Sequence, residues 1–217
     1  DLKELRKKIT KKTKVIMNIN VLGISADLEK IKKISSEKKL ILIEDNCESL
    51  GSKFNNKFMG TFGDFGTFSF YYSHQITSGE GGMVVCHNRE DYELLYSLRA
   101  HGWSRSPFSY KKIAKKYPKL DPRFIFTNMG FNLRPTDIQA AIGFNQFKRL
   151  NYFSKQRNLN RKIIIEKLKK SKKWTNQFTF IEIPKRIEPS WFSLVIIVDD
   201  KYANKKKKFI NFLSKKK

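Results

Sequence analysis

The sequence predicts an α/β fold with a mostly parallel central sheet. Two short apolar runs, Val15-Ile16-Met17-Asn18-Ile19 and Leu40-Ile41-Leu42-Ile43, flank a stretch in which Leu28, Ile31 and Ile34 recur at helical spacing. Strand, helix, strand in that order is the βαβ unit of a parallel sheet, because parallel neighbours need a crossover long enough to carry the chain back. The chain of 217 residues is 40% apolar and contains 18 Phe, enough to fill one sizeable core.

Ser25 is the expected N-cap of the first crossover helix. Thr67 to Phe70 and Met83 to Val85 add two more strands, so the sheet is at least four strands wide. Glu90 to Leu98, with Leu94, Leu95 and Leu98 on one face behind Asn88 as cap, predicts a helix. Residues 102–130 hold Gly, Pro and polar residues without lasting period and read as a long irregular connection. Pro135-Thr136-Asp137-Ile138-Gln139 opens a second helix through a Thr136/Gln139 capping box, with Ile138, Ala141, Ile142 and Phe147 as its buried stripe. A basic helix is expected over 153–170, then strands at Phe178 to Ile183 and Phe192 to Val198 joined by a Pro-containing turn, then a helix from about Ala203.

Composition excludes several classes. No run of eighteen apolar residues exists and the N-terminus carries no signal-peptide pattern, so neither a membrane span nor export is expected and the cytoplasm is the default location. With only Cys47 and Cys86 there is no disulfide framework, and an iron–sulfur cluster lacks ligands. The formal charge of +25 suggests a polyanion as partner. The lysines, however, are scattered along the chain without interleaved stacking aromatics, which fits a lysine-rich solvated surface better than a nucleic-acid reader.

Two segments carry chemistry. Glu44-Asp45-Asn46 comes directly after a buried strand, and the carboxyl ends of parallel strands are where open α/β sheets bind ligands. A lone acid there also serves as a helix cap or structural group. The segment Ser69-Phe70-Tyr71-Tyr72-Ser73-His74 comes after another strand, offers hydroxyls to a phosphate, and places an imidazole, the neutral-pH proton carrier, at the rim. A buried structural histidine is the alternative reading.

Three stretches, LILIEDNCESLGSKF, GTFGDFGTFSFYYSHQITSGEGGMVV and GFNLRPTDIQAAIGFNQFKRL, occur in an order that resembles the DegT/DnrJ/EryC1/StrS family of pyridoxal-phosphate-dependent sugar aminotransferases. The resemblance implies fold type I of the PLP-dependent transferases, the aspartate aminotransferase-like fold, with residues 1–150 as part of the large PLP-binding domain and 151–217 as the start of a smaller α+β C-terminal domain. Typical members hold the cofactor through a lysine where this chain has His74. The His-for-Lys exchange resembles the subgroup of nucleotide-sugar 3-dehydratases, and the lack of any cysteine after Cys86 separates the chain from members of that subgroup with a [2Fe–2S] centre.

The resemblance also implies a reaction and a role for each matching residue. Glutamate would aminate the cofactor to pyridoxamine 5'-phosphate, a nucleotide-linked 4-keto-6-deoxyhexose would be engaged, His74 would remove a proton, and the sugar would lose its 3-hydroxyl. By the same resemblance Asp45 faces the pyridine nitrogen, Glu48 stands where many members place a glutamine near the ring hydroxyl, and Ser69 meets the cofactor phosphate. Asn132 is expected to reach the phosphate in the neighbouring subunit, making a homodimer necessary. A family member with ordinary aminotransferase output, or an inactive one, is the alternative. Family members also carry a phosphate-cradling block before the region matched here and a longer small domain after it, so the chain by itself is expected to be a poorly soluble, inactive part of a longer enzyme.

Overall fold

The computed structural model describes residues 1–106, 108–174 and 177–216. In chain order its elements are α1 (Leu2–Lys8), β1 (Val15–Ile19), α2 (Leu28–Glu37), β2 (Ile41–Asp45), the short β3 (Lys53–Phe54) and β4 (Lys57–Phe58), β5 (Phe65–Ser69), β6 (Gly82–Cys86), α3 (Arg89–Leu98), α4 (Tyr110–Lys116), α5 (Asp137–Phe147), α6 (Leu150–Lys170), β7 (Phe178–Thr179), β8 (Ile187–Glu188), β9 (Ile197–Val198) and α7 (Lys206–Ser214). The central sheet runs β1-β2-β5-β6. Its first three strands are parallel, with Ile16 opposite Leu42 and Asp45 opposite Thr67, while β6 runs antiparallel to β5. The predicted α/β class with a mostly parallel sheet is therefore what the chain builds.

The crossover helix lies on one face of the sheet. Ile31 and Ile34 of α2 pack with Ile16 and Leu42, and Leu2, Leu5 and Ile9 of the N-terminal segment extend that cluster. A second cluster joins Leu28 to Phe54, Met59, Phe62 and Ile187. Burying each such side chain is worth about 1.5–3 kcal/mol, so α2 is held mainly by packing. Its N-cap is Asp27, whose side chain accepts from the Lys30 amide at 3.1 Å, and not Ser25, whose hydroxyl turns to the Ala26 carbonyl at 2.8 Å. Asp27 also meets Arg186 at 3.0 Å, while Arg186 reaches Glu29 and Asn55, so one guanidinium ties α2 to the β3 hairpin and to β8.

Other expectations need correction. The stretch 102–130 is not wholly irregular: α4 and a 3-10 turn at Pro122–Phe124 lie in it. The capping box of α5 is present, yet its supposed buried stripe is not, since Ile138 is 74% and Phe147 60% exposed. Ile142, at 44%, and Phe144, at 65%, are exposed as well. The two C-terminal strands shrink to the two-residue pair β7–β9, because Pro184 starts a turn and residues 191–192 are bound elsewhere: Arg157 donates to the carbonyls of Trp191 and Phe192 at 3.0 and 2.7 Å. Between them β8 pairs with the distant β3, with Phe54 opposite Ile187.

The end of β2 is organised by one carboxylate. Glu44 is fully buried and accepts from the backbone amides of Phe62 (2.6 Å), Gly63 (2.8 Å) and Gly60 (2.9 Å) and from Asn20 Nδ2 (3.2 Å). No cation reaches it among the described residues; oriented N–H dipoles carry the compensation. The loop can wrap this closely because Gly66 has no side chain: a Cβ there would stand 2.1 Å from the Gly60 carbonyl oxygen. Glu44→Leu strands these donors in a dry interior and is expected to lower unfolding stability by on the order of 4 kcal/mol, with Glu44→Gln intermediate because it keeps one acceptor oxygen; urea unfolding of the three proteins gives the comparison.

Candidate active site

The carboxyl ends of β2 and β5 lie side by side, and the residues after them form the site. Asp45, the last residue of β2, is half-buried; its Oδ1 accepts from the Cys47 amide at 3.0 Å, which turns the chain off the sheet. Glu48 lies on that turn, and its Oε2 accepts from the Leu22 amide at 2.8 Å. Ser69 closes β5, with its hydroxyl accepting from the Tyr71 amide at 3.2 Å. The chain then makes the turn that carries His74, whose amide donates to the Tyr71 carbonyl at 3.1 Å. The Phe70 amide donates to the Gly81 carbonyl at 2.8 Å, so the Gly79 to Gly82 turn folds back over the same edge. Gly81 has φ +153°, and a Cβ there would lie 2.5 Å from Ser78 Oγ, which explains the residue type.

His74 sits between aromatic rings. Its ring lies 5.8 Å from Tyr71, edge on, and 5.2 Å from Phe192. Its Nδ1 is enclosed without a hydrogen-bond partner, and so is the Oε1 of the neighbouring Gln75. The imidazole is thus held by packing. Asp45 and Glu48 come at and after the end of β2, and Ser69 and His74 at and after the end of its parallel neighbour β5, so the topology puts all four at the carboxyl edge. Asn132 is on another element, exposed, bridged to Ala100 in the segment leading to α5, and makes no side-chain hydrogen bond with those four among the described residues. Sequence reasoning missed Leu22, Gln75, Ser190 and Phe192; the last two come from beyond α6, at a separation that leaves no local signal.

Cys47 is a further titratable group beside Asp45. Burial, together with the hydrogen bond and negative charge of Asp45, pushes its thiol up to about 11. The thiol is therefore protonated across the neutral range and offers no nucleophile.

The mostly parallel α/β sheet is that of the PLP-dependent transferases of fold type I, to whose solved structures the chain is similar. Within that class the chain belongs to the DegT/DnrJ/EryC1/StrS aminotransferase family, whose pattern matches residues 1–217. It is 37% identical over 201 residues to GDP-4-keto-6-deoxy-D-mannose 3-dehydratase of Escherichia coli O55:H7, covering 91% of this chain and 50% of that one. The solved E. coli GDP-4-keto-6-deoxy-D-mannose-3-dehydratase with bound hydrated PLP is similar at a TM-score of 0.82 and 33% identity, over 99% of this chain and 54% of that one. A mutant GDP-4-keto-6-deoxymannose-3-dehydratase with bound GDP-perosamine gives a TM-score of 0.86 and 34% identity, over 99% and 55% of the two chains. The chain spans about half the length of these relatives.

The state of Cys47 is directly testable. In a Cys86→Ser background, its alkylation rate is expected to keep rising between pH 9.0 and about 11, where an ordinary thiol would level off, and to become ordinary on unfolding; iodoacetamide labelling coupled to mass spectrometry measures both.

Proposed function

We propose that this chain supplies the cofactor-binding and proton-transfer part of an enzyme that removes the 3-hydroxyl from a nucleotide-linked 4-keto-6-deoxyhexose, with pyridoxal 5'-phosphate and its pyridoxamine form as cofactor and glutamate as amino donor. One observation carries the reading: the side chain at the rim of the sheet's carboxyl edge is an imidazole, His74, and not a lysine amine. An amine there would condense with the cofactor aldehyde; an imidazole forms no stable imine and stays free to take and return a proton.

The residues fit that cofactor. The half-buried Asp45 carboxylate at the end of β2 suits a protonated pyridine nitrogen, the Ser69 hydroxyl at the end of β5 suits a phosphate, and the enclosed, unpartnered His74 Nδ1 borders the same edge. When bound, the cofactor's ring takes up the electron pair that proton removal leaves behind. Asp45 would hold the opposite charge in place, Glu48, steadied by the Leu22 amide, would meet the ring hydroxyl, and His74 would take the proton. The hydrogen bonds that steady Asp45 and Glu48 come from backbone amides, so neither carboxylate has to reorganise as charge moves. The reaction takes an oxygen from the sugar and leaves no nitrogen on it.

We assign residues 1–150 to the large domain and 151–217 to the start of the small one, in a cytoplasmic enzyme. No helix among the described residues is long and apolar enough to cross a membrane. The active unit is a homodimer in which Asn132 meets the phosphate bound to the partner. Supporting this, Asn132 is flanked by Met129 (97% exposed), Phe131 (63%) and Leu133 (69%), an apolar strip that continues into the exposed face of α5.

Given glutamate, PLP and a nucleotide-linked 4-keto-6-deoxyhexose, the intact protein is expected to release a 3-deoxy sugar; an amino sugar that keeps its 3-hydroxyl would overturn the reading. His74→Lys should abolish deoxygenation and let borohydride fix the cofactor at that position, as mass spectrometry would record. Phe131→Asp is expected to convert the dimer to monomer in sedimentation and to weaken cofactor binding at least tenfold, whereas a variant that stays dimeric with parental affinity would remove this strip from the interface.

A further inference from the structure

A buried amide next to His74 connects three parts of the chain that are far apart in sequence. Gln75 is 3% exposed, and its Nε2 donates to the Glu48 carbonyl at 2.6 Å and to the Ser190 carbonyl at 3.3 Å. The orientation of the amide is unambiguous: turning it over would set its oxygen against two carbonyl oxygens. Its own Oε1 is left enclosed without a partner, a cost accepted so that both N–H groups face those acceptors.

Two closed circuits pass through this point. In the first, Gln75 holds Ser190, and two residues later the Phe192 ring lies 5.2 Å from the His74 ring, adjacent in turn to Gln75. In the second, the Leu22 amide donates to the Glu48 carboxylate at 2.8 Å while the Leu22 carbonyl accepts from the Phe192 amide at 3.4 Å. Leu22 has φ +60° and ψ +19°, a left-handed conformation costly for a residue with a Cβ. The segment 190–192 is itself pinned from the far side, by Ser52 Oγ on the Ser190 amide (2.8 Å), by Ser154 Oγ on the Ser190 hydroxyl (2.7 Å), and by Arg157 on two carbonyls. His74, by contrast, has no side-chain hydrogen bond of its own among the described residues. Its ring is oriented by what surrounds it.

We propose that Gln75 and Phe192 are positioning residues that set the direction of the His74 imidazole: Gln75 locks the turn bearing it to Glu48 and Ser190, and Phe192 forms the wall against which the ring rests. The function of the enzyme thereby depends on a segment that lies beyond α6. The inference rests on the reading of His74 as the proton-transferring group.

The experiment compares the intact parent with Gln75→Met, which keeps the volume and loses both donated hydrogen bonds, and with Phe192→Leu. In the cofactor-free protein, the His74 ring protons feel the ring current of Phe192. Both variants are expected to displace those NMR signals, Gln75→Met because the ring leaves its wall. In turnover, kcat is expected to fall about 10- to 100-fold with KM for the sugar and cofactor affinity held within about threefold, as a misaimed but present base requires. His74 signals unmoved in Gln75→Met, or kcat within about threefold of the parent, overturns the proposal, and so does a loss of cofactor affinity as large as the loss of kcat. If Gln75→Met does not fold, Phe192→Leu decides by kcat against KM and cofactor affinity, because loss of the Phe192 ring shifts the His74 signals whatever the imidazole does. A parent protein that releases no 3-deoxy sugar sinks the functional reading instead, and the NMR signals still decide the arrangement of the ring.

Discussion

A single buried negative charge, the Glu44 carboxylate, holds the end of β2, the loop 60–63 and Asn20 in one arrangement. Burying an anion is costly unless nearly every lone pair finds a donor, and here three backbone amides and one side-chain amide converge on it. Neither β2 nor the loop can move without breaking this set. Asp45 is the next residue, so the group assigned to the cofactor inherits its place from its buried neighbour. The loop also leads directly into β5, which ends at Ser69. The two strand ends that line the site are therefore aligned by one electrostatic constraint.

The neighbouring asparagines extend it. Asn20 donates to Asn46 Oδ1 at 2.7 Å as well as to Glu44, and the Asn46 backbone amide donates to the Thr67 carbonyl at 2.8 Å, linking the residues just past β1 and β2 to the middle of β5. A polar layer of this kind excludes alternative registers, because a slip of one residue would strand several buried groups at once. The site above it is built differently. His74 is placed by aromatic walls, and the walls are placed by hydrogen bonds among residues 22, 48, 75 and 190–192. Rigid polar contacts lie beneath, and the imidazole Nδ1 is left without a hydrogen-bond partner among the described residues.

The parallel strands, α2, α3 and the capped start of α5 were legible because each rests on a local pattern: apolar runs, helical spacing, a cap three residues ahead of the amide that donates to it. The acid after β2 and the histidine after β5 were legible for a related reason, since strand ends mark ligand edges in α/β sheets. The cap at Asp27 in place of Ser25 was a local misjudgement between two residues able to do the same work. The exposed face of α5 was a different kind of error. Its spacing signals an apolar face, and periodicity alone does not say whether the covering surface belongs to the same chain.

The sequence by itself determined the class of fold, the β1-α2-β2 unit and the chemical identity of the group at residue 74, because these depend on residue type and on spacing within a few turns of chain. Only the tertiary structure decided how that group is aimed. Gln75 meets Ser190 across 115 residues, Phe54 meets Ile187 through the β3–β8 pairing, and Glu44 finds its donors on a loop sixteen to nineteen residues away. Contacts of that separation are selected by how buried donors and acceptors can be satisfied together once the chain is compact, and that condition has no counterpart in any short stretch of sequence.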